Sequence, residues 1–504
     1  MSGEILLPPP APKSALPDLS TQGADLGQAQ VPSGGGKTPT AGGRFVTGSI
    51  LRHVVVMSAT GSVGLMAVFV VDLLSLLYVS KLGDANLTAA VGFAAIVQFF
   101  AIAINIGLMI AAGALVSRAI GASDRDGARR IATSATLLGL AASALLVALL
   151  LPLSDPLLRA IGAEGETLRV AERFLWIALP SNVLMGPGMM FSGLLRAIGA
   201  ARQAMFVTLG GALVTVGLDP LLIFAAGLGV DGAAITTCVA RATFALIGWH
   251  GVRQHRMLAP ARLAETLADA PLVFRIALPA VLTNLAPSVA SAFLAHVLAH
   301  YGAVAVAANV VIDRLTPVAF GGLFALSGSI GPILGQNWGA GRFDRMRGVL
   351  RDGALVTFLY SGTVWAALVL ARGPLMRLFE LDGVAADLFG FFCLVSGGVW
   401  FFNGLLFLAN ASFNNLGFPF RSTLLNWGRA TLGTMPPALL GAAMYGPRGV
   451  LAGVGIGSLA FGLAGILMAA RTVTLLEREA VVPARPPDPE PALAAGPAQG
   501  GVLG

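Results

Sequence analysis

Twelve apolar runs, each long enough to cross a lipid bilayer as a helix, set the terms on which this chain can fold. They fall at 53–80, 87–117, 131–153, 168–190, 203–226 and 230–252, and, after a polar stretch, at 272–299, 304–336, 349–371, 383–409, 420–443 and 447–470. About 20 residues of helix, rising about 1.5 Å each, cover the hydrocarbon core of a membrane. No water reaches a free N–H or C=O there, so a spanning backbone is helical or part of a closed barrel. A barrel would read as short alternating segments; these runs are long and unbroken. The chain is 56% hydrophobic and 11% charged, against about 25% charged in a soluble domain. Too little polar surface is left to cover a water-facing globule. The expectation is an all-α integral membrane protein of about twelve transmembrane helices.

Arginine placement orients it. The arginines concentrate in alternate connections: Arg118, Arg125, Arg129 and Arg130; Arg196 and Arg202; Arg253, Arg256 and Arg262; Arg342, Arg345, Arg347 and Arg351; Arg421. Loops held in the cytoplasm are enriched in Lys and Arg. Both termini are therefore expected in the cytoplasm of a multi-pass protein of the plasma membrane (the inner membrane in a bacterium). The net charge of +7 belongs to these loops and implies no nucleic-acid partner. Residues 1–44 and 476–504 are rich in Pro, Gly and Ala and are read as disordered cytoplasmic tails; the first lacks the basic-then-apolar order of a signal peptide. Between them lie a six-helix lobe at 45–252, a cytoplasmic linker at 253–271 and a second six-helix lobe at 272–475. Cys238 and Cys393 each sit inside an apolar span with no metal or redox motif nearby, the setting of a small buried side chain.

The two lobes are related in sequence. SRAIGASDRDGARR (117–130) pairs with GQNWGAGRFDRMRG (335–348), GLLRAIGAARQAMFVTLGG (193–211) with ASFNNLGFPFRSTLLNWGR (411–429), and GLGVDGAA (227–234) with MYGPRGVLAG (444–453). All three pairings need an offset of about 218 residues. Duplicated six-helix units are a recurrent transporter design that places the substrate between the halves.

Two acids stand inside apolar spans, Asp72 in the first and Asp219 in the fifth. A charged side chain at a helix centre costs roughly 2.5–3.5 kcal/mol on insertion scales, so such a residue is usually functional. The plainer alternative is a permanently hydrogen-bonded acid that pins helices together. Thr215 stands four residues before Asp219, on the same helical face. Desolvation disfavours the charged form of a carboxyl, the property that a proton-loading site needs.

The stretches VDLLSLLYVSKLGDANLTAAVG (71–92), GLLRAIG (193–199), GLDPLLIFAAGLGVDGAAITT (217–237) and ALPAVL (277–282) resemble the multidrug and toxic compound extrusion (MATE) family, over about residues 50–475. Within it the chain is most similar to the DNA-damage-inducible-type and archaeal branch, which uses one aspartate at each of these two places for cation coupling. The resemblance implies that Asp72, followed by the Leu82-Gly83-Asp84 turn, and Asp219 are the coupling acids, with Thr237 sharing their polar cluster. Thr215 stands where that branch has asparagine, and Met57 where it has a helix-bending proline; Gly61 and Gly64 offer other places to bend. Repeat alignment sets Ser291 near Asp72 and Pro436 near Asp219, so coupling is confined to the first lobe.

Weaker candidates complete the list. Met185, Met189 and Met190 would suit an adaptable cavity wall for varied apolar substrates. Asp313 and Arg314 read as a structural ion pair. His296 and His300 are one helical turn apart without a third ligand, so no metal site is expected. Glycine-rich pieces such as GSVG (61–64) follow no strand and precede no Gly-Lys-Ser/Thr, which speaks against an ATP-driven pump. The resemblance implies a secondary active antiporter and no enzyme. It would act as a monomer in membrane lipid, exchanging small cationic or amphipathic compounds for H+ or Na+ by alternating access, with no cofactor. A lipid-linked oligosaccharide flippase of the same architecture is the alternative; it would need several cations on the cavity wall, for which Arg314 and Arg241 are the candidates.

Overall fold

Capping chemistry starts the helices where the apolar runs begin. Ser49 accepts from the Arg52 N–H to open α1 (Ile50–Ser80), Asp84 from Asn86 to open α2 (Ala85–Gly121), and Asp124 from Gly127 to open α3 (Arg125–Leu150). Each side-chain oxygen satisfies a backbone donor that has no partner within the helix. The structure, a computed structural model, describes residues 43–481, of which 43–478 belong to one compact unit. The expected tails therefore lie outside the described residues, except for 43–44 and 476–481.

The remaining helices are α4 (Ser154–Ala160), α5 (Gly165–Ala178), α6 (Asn182–Ala197), α7 (Ala201–Pro220), α8 (Gly229–Gln254), α9 (Leu263–Ala299), α10 (Ala303–Gly339), α11 (Phe343–Leu378), α12 (Gly383–Leu416), α13 (Pro419–Ala430) and α14 (Met435–Val481). Most are longer than the apolar runs that they contain, because they continue past the membrane core into the Arg-rich connections. The linker expected at 253–271 is helical from Leu263 onward. The tail expected from 476 begins as the end of α14, which runs to Val481.

Proline explains the breaks. The fourth span is two helices, α5 and α6, joined by the tight turn Leu179–Ser181, where Pro180 cannot donate to the ladder. The fifth widens after Pro220 into a π turn, Leu221–Ala225. Gly232 of α8 packs on that turn: a Cβ there would stand 2.7 Å from the Leu222 carbonyl carbon. The eleventh span is α13 followed by the first part of α14, which turns sharply at Tyr445–Gly446, ahead of Pro447; the rest of α14 is the twelfth. Among the described residues there are thus eleven separate stretches apolar enough to span. The final one, Pro419–Ala480, is 62 residues long and contains these breaks, so it accounts for the last two of the twelve expected spans.

The first half packs α2, α3, α6 and α8 around Leu108, Met190, Leu194 and Leu195, all almost fully buried. The second packs α10, α11 and α12 around Phe320, Phe389 and Leu408. α1 lies between the halves, against α7 on one side and α10 on the other. It is one unbroken helix through Met57, which is buried. The helix continues without a break through Gly61 and Gly64. They are where Ala325 of α10 and Thr208 of α7 come closest, so their missing side chains allow two helices to approach.

Candidate functional site

Asp219 is 1% exposed, at the end of α7 where Pro220 and the π turn begin. Short π segments recur at functional positions. Ser75 of α1 donates its hydroxyl to Asp219 Oδ2, and the hydroxyl of Thr236 on α8 lies within hydrogen-bond reach of the same carboxyl and of the Gly232 carbonyl, 3.0 Å away. Three helices thus converge on one carboxyl, and none brings it a cation. Asp72 precedes Ser75 by one turn on the same face of α1, and unlike Asp219 it is exposed.

Of the four expected coupling residues, Asp72, Thr215 and Thr237 make no hydrogen bond to Asp219. Thr215 donates to the Gly211 carbonyl at 3.1 Å and Thr237 to Ala233 at 3.0 Å; each hydroxyl is used within its own helix. Ser75 and Thr236 take the places beside Asp219. Successive residues of a helix point about 100° apart, so choosing between Thr236 and Thr237 needs the rotation of α8, which the pattern of residues alone does not fix. Ser75 carried a signal, one turn beyond Asp72, which the search for acids passed over.

Across from α1, α10 carries Asp313 and Arg314, both exposed. Asp313 accepts from Asn309 Nδ2 at 3.0 Å, and Arg314 attracts Asp72 of the other half as well as its own neighbour. Arg314 thus acts on carboxyls of both halves, Asp313 beside it and Asp72 on α1, in keeping with an ion pair either within its own helix or with a neighbouring one. Beyond it stands an aromatic group. Phe320 stacks on Trp400 at 4.9 Å, Phe324 touches Trp400 and Phe407, and Phe69 of α1 meets Phe324 edge-on at 6.3 Å.

Other expected participants are placed elsewhere. Met190 is fully buried and Met189 nearly so, packed with Met185 against Leu108, Ala111, Val273 and Ile276. They lie between α2, α6 and α9, and α9 of the second half packs over them in this structure. Arg241 is also interior, donating to the Ala178 carbonyl, Ser181 Oγ and Gln98 Oε1; it is not the cavity cation that a flippase would use. His300 Nδ1 donates to the His296 carbonyl, 3.1 Å away, with the two rings edge to face. Among the described residues no group of three or more His, Cys, Asp or Glu could hold a metal ion.

Comparison with known proteins bears on the family and the fold. The MatE family profile matches residues 62–221 and again 279–439, at the spacing of the internal repeat. The FAD transporter of Shewanella oneidensis is 30% identical over 438 residues, 85% of this chain and 96% of that protein. The multidrug export protein MepA of Staphylococcus aureus is 24% identical over 425 residues, 81% of this chain and 90% of that protein. In fold, the chain is similar to an outward-facing multidrug resistance MATE family transporter (TM-score 0.81, 24% identity, 88% of this chain and 100% of that one). A mutant of the Vibrio cholerae MATE transporter VcmN is equally similar (TM-score 0.81, 24% identity, 85% and 98%).

Proposed function

Because the chain belongs to the MatE family, whose members are membrane transporters and not enzymes, we propose that it is a proton-coupled antiporter, exporting organic compounds by alternating access between its two halves. The observation that carries this reading is the surroundings of Asp219: buried, with only hydroxyl partners. A hydroxyl both donates and accepts. Ser75 donates to the ionised carboxylate; when the carboxyl is protonated, its O–H donates and a hydroxyl turns to accept. Both protonation states are satisfied without moving a helix, which is what a group that loads and releases a proton needs. Asp72, exposed one turn away, is the relay through which a proton passes between water and Asp219.

The Arg-rich helix ends face the cytoplasm in this reading, with both termini on that side of the plasma membrane and the protein acting as a monomer. The substrate leaves between α1 and α10, past the aromatic group of the second half. Planar cationic or amphipathic compounds fit that surface by stacking and by attraction to Asp72. A second reading, export of a flavin dinucleotide, is favoured by Arg314. A flavin stacks on the same aromatics, and an exposed guanidinium beside them suits its pyrophosphate.

The test is transport by proteoliposomes under separately imposed proton and sodium gradients, with a fluorescent cationic dye and with FAD. Dye or FAD movement driven by the proton gradient in wild type, lost in Asp219→Asn, supports the reading. Undiminished proton-driven transport by that variant contradicts it, and transport that follows only sodium replaces the coupling ion.

A further inference from the structure

The repeat does more than relate two sequences: it places matching hydrogen bonds across the interface between the halves. On α2 of the first half, Arg118 Nε donates to the Asn415 carbonyl at the end of α12, 2.7 Å away. On α10 of the second half, Gln336 Nε2 donates to the Ala197 carbonyl at the end of α6, 2.6 Å away. Arg118 and Gln336 are repeat mates, and so are Ala197 and Asn415. Each half reaches over the other's helix end with the same position and grips the same carbonyl. The crossing is tight. A Cβ on Gly121 would meet the Gln336 backbone, and one on its mate Gly339 would meet the Arg118 backbone. Both glycines are needed for α2 and α10 to cross this closely.

The segment 43–49 fastens the crossing. Phe45, 1% exposed, donates its N–H to Gln336 Oε1 at 2.9 Å. Its carbonyl accepts from Asn337 Nδ2 at 3.2 Å and from Arg345 at 2.9 Å. Arg44 donates to the Gly199 carbonyl of the first half at 2.8 Å. One short stretch therefore holds both halves. The closure is also incompletely satisfied: Arg118 Nη2 and Asn415 Oδ1 are buried without partners, although the guanidinium lies 4.0 Å over the Trp338 ring. Unpaired buried groups are costly, which keeps such a closure from being so stable that it cannot open.

We propose that Arg118 and Gln336 are the two latches of the cytoplasmic gate, related by the internal repeat, and that both must release for the substrate path to open to the cytoplasm. The proposal rests on the alternating-access reading, but its test reads the gate directly and needs no knowledge of the coupling ion or substrate. Gly328 of α10 is exposed, about 12 Å along the helix from Gln336, and a Cβ there meets only Arg196 Nη1, at 3.5 Å. A Gly328→Cys reporter, with Cys238 and Cys393 replaced by Ser, is alkylated in membrane vesicles by an impermeant maleimide applied from the cytoplasmic side. With both latches intact labelling is slow. With Arg118→Ala and Gln336→Ala together it rises at least about 10-fold, and each single change gives a smaller rise. Unchanged labelling in a double variant that remains monodisperse in detergent overturns the proposal. A second arm covers the case in which the double variant does not fold. Ala197→Cys with Gln336→Cys, joined by a short thiol crosslinker, stops transport until the link is cleaved; transport at full rate through the linked protein overturns it as well.

Discussion

At the end of α6 the chain turns through Gly199 with φ 83°, and at the end of α12, one repeat later, through Gly417 with φ 91°. The same left-handed turns recur at Ser123 and Gly341 (63° and 67°), at Gly162 and Glu380 (98° and 50°), and at Gly165 and Gly383 (55° and 51°). Side chains facing the space between the halves diverge instead. Asp219 and its hydroxyls have no counterpart in the second half, where Pro436 stands near that position. Trp400 and Phe407 of the aromatic group correspond to Asn182 and Met189, both packed inside the first half. Backbone turns that need φ > 0 have few solutions, so they are retained through divergence. Under the proposed function, positions on the transport path are free to specialise, with Asp219 in the first half and the stacked aromatics in the second.

That division can be broken experimentally, beginning where the effect is largest. Asp219→Asn is expected to reduce gradient-driven export at least about 10-fold in a vesicle dye-efflux assay, and Asp72→Asn to do nearly as much. Equal losses from Asp313→Asn would show that the second half carries coupling as well. Trp400→Ala should raise the KM for an aromatic substrate several-fold, while the pH dependence of transport stays as in wild type; a shifted pH profile would merge the two roles. Thr236→Val should move that profile and Thr237→Val should not, because only Thr236 reaches the carboxyl.

The smallest effects concern the shared backbone. Ser123 and Glu380 hold φ values that cost a side-chain-bearing residue about 1 kcal/mol, and their repeat mates are glycines. Ser123→Gly and Glu380→Gly should each raise the unfolding midpoint in detergent. Gly199→Ala should lower it by more, since φ is positive and the new Cβ would stand 2.9 Å from Arg44 Cδ. A stabilising Gly199→Ala would contradict the equivalence of these turns.

The membrane helices were legible because lipid enforces long apolar runs, and Asp72 and Asp219 because charge is conspicuous there. The repeat was legible from its turn glycines. What was not legible depends on helix rotation and on neighbours distant in the chain. Thr236 and Thr237 differ by one position, and only packing of α8 on α7 decides which meets Asp219. Met189 and Met190 have the composition of a drug-binding wall, yet α9, some 80–90 residues later, covers them. Arg118 and Gln336 look unrelated by residue type; the sequence repeat aligns them, but only the structure shows that each grips a carbonyl of the other half.

The most direct test of the account follows proton movement itself. Proteoliposomes containing a pH-sensitive dye report whether an added substrate gradient drives protons the other way. The account predicts counterflow in the wild type and in Asp313→Asn, and none in Asp219→Asn. Counterflow that persists in Asp219→Asn, with the protein folded and reconstituted, would contradict the claim that coupling resides in the first half.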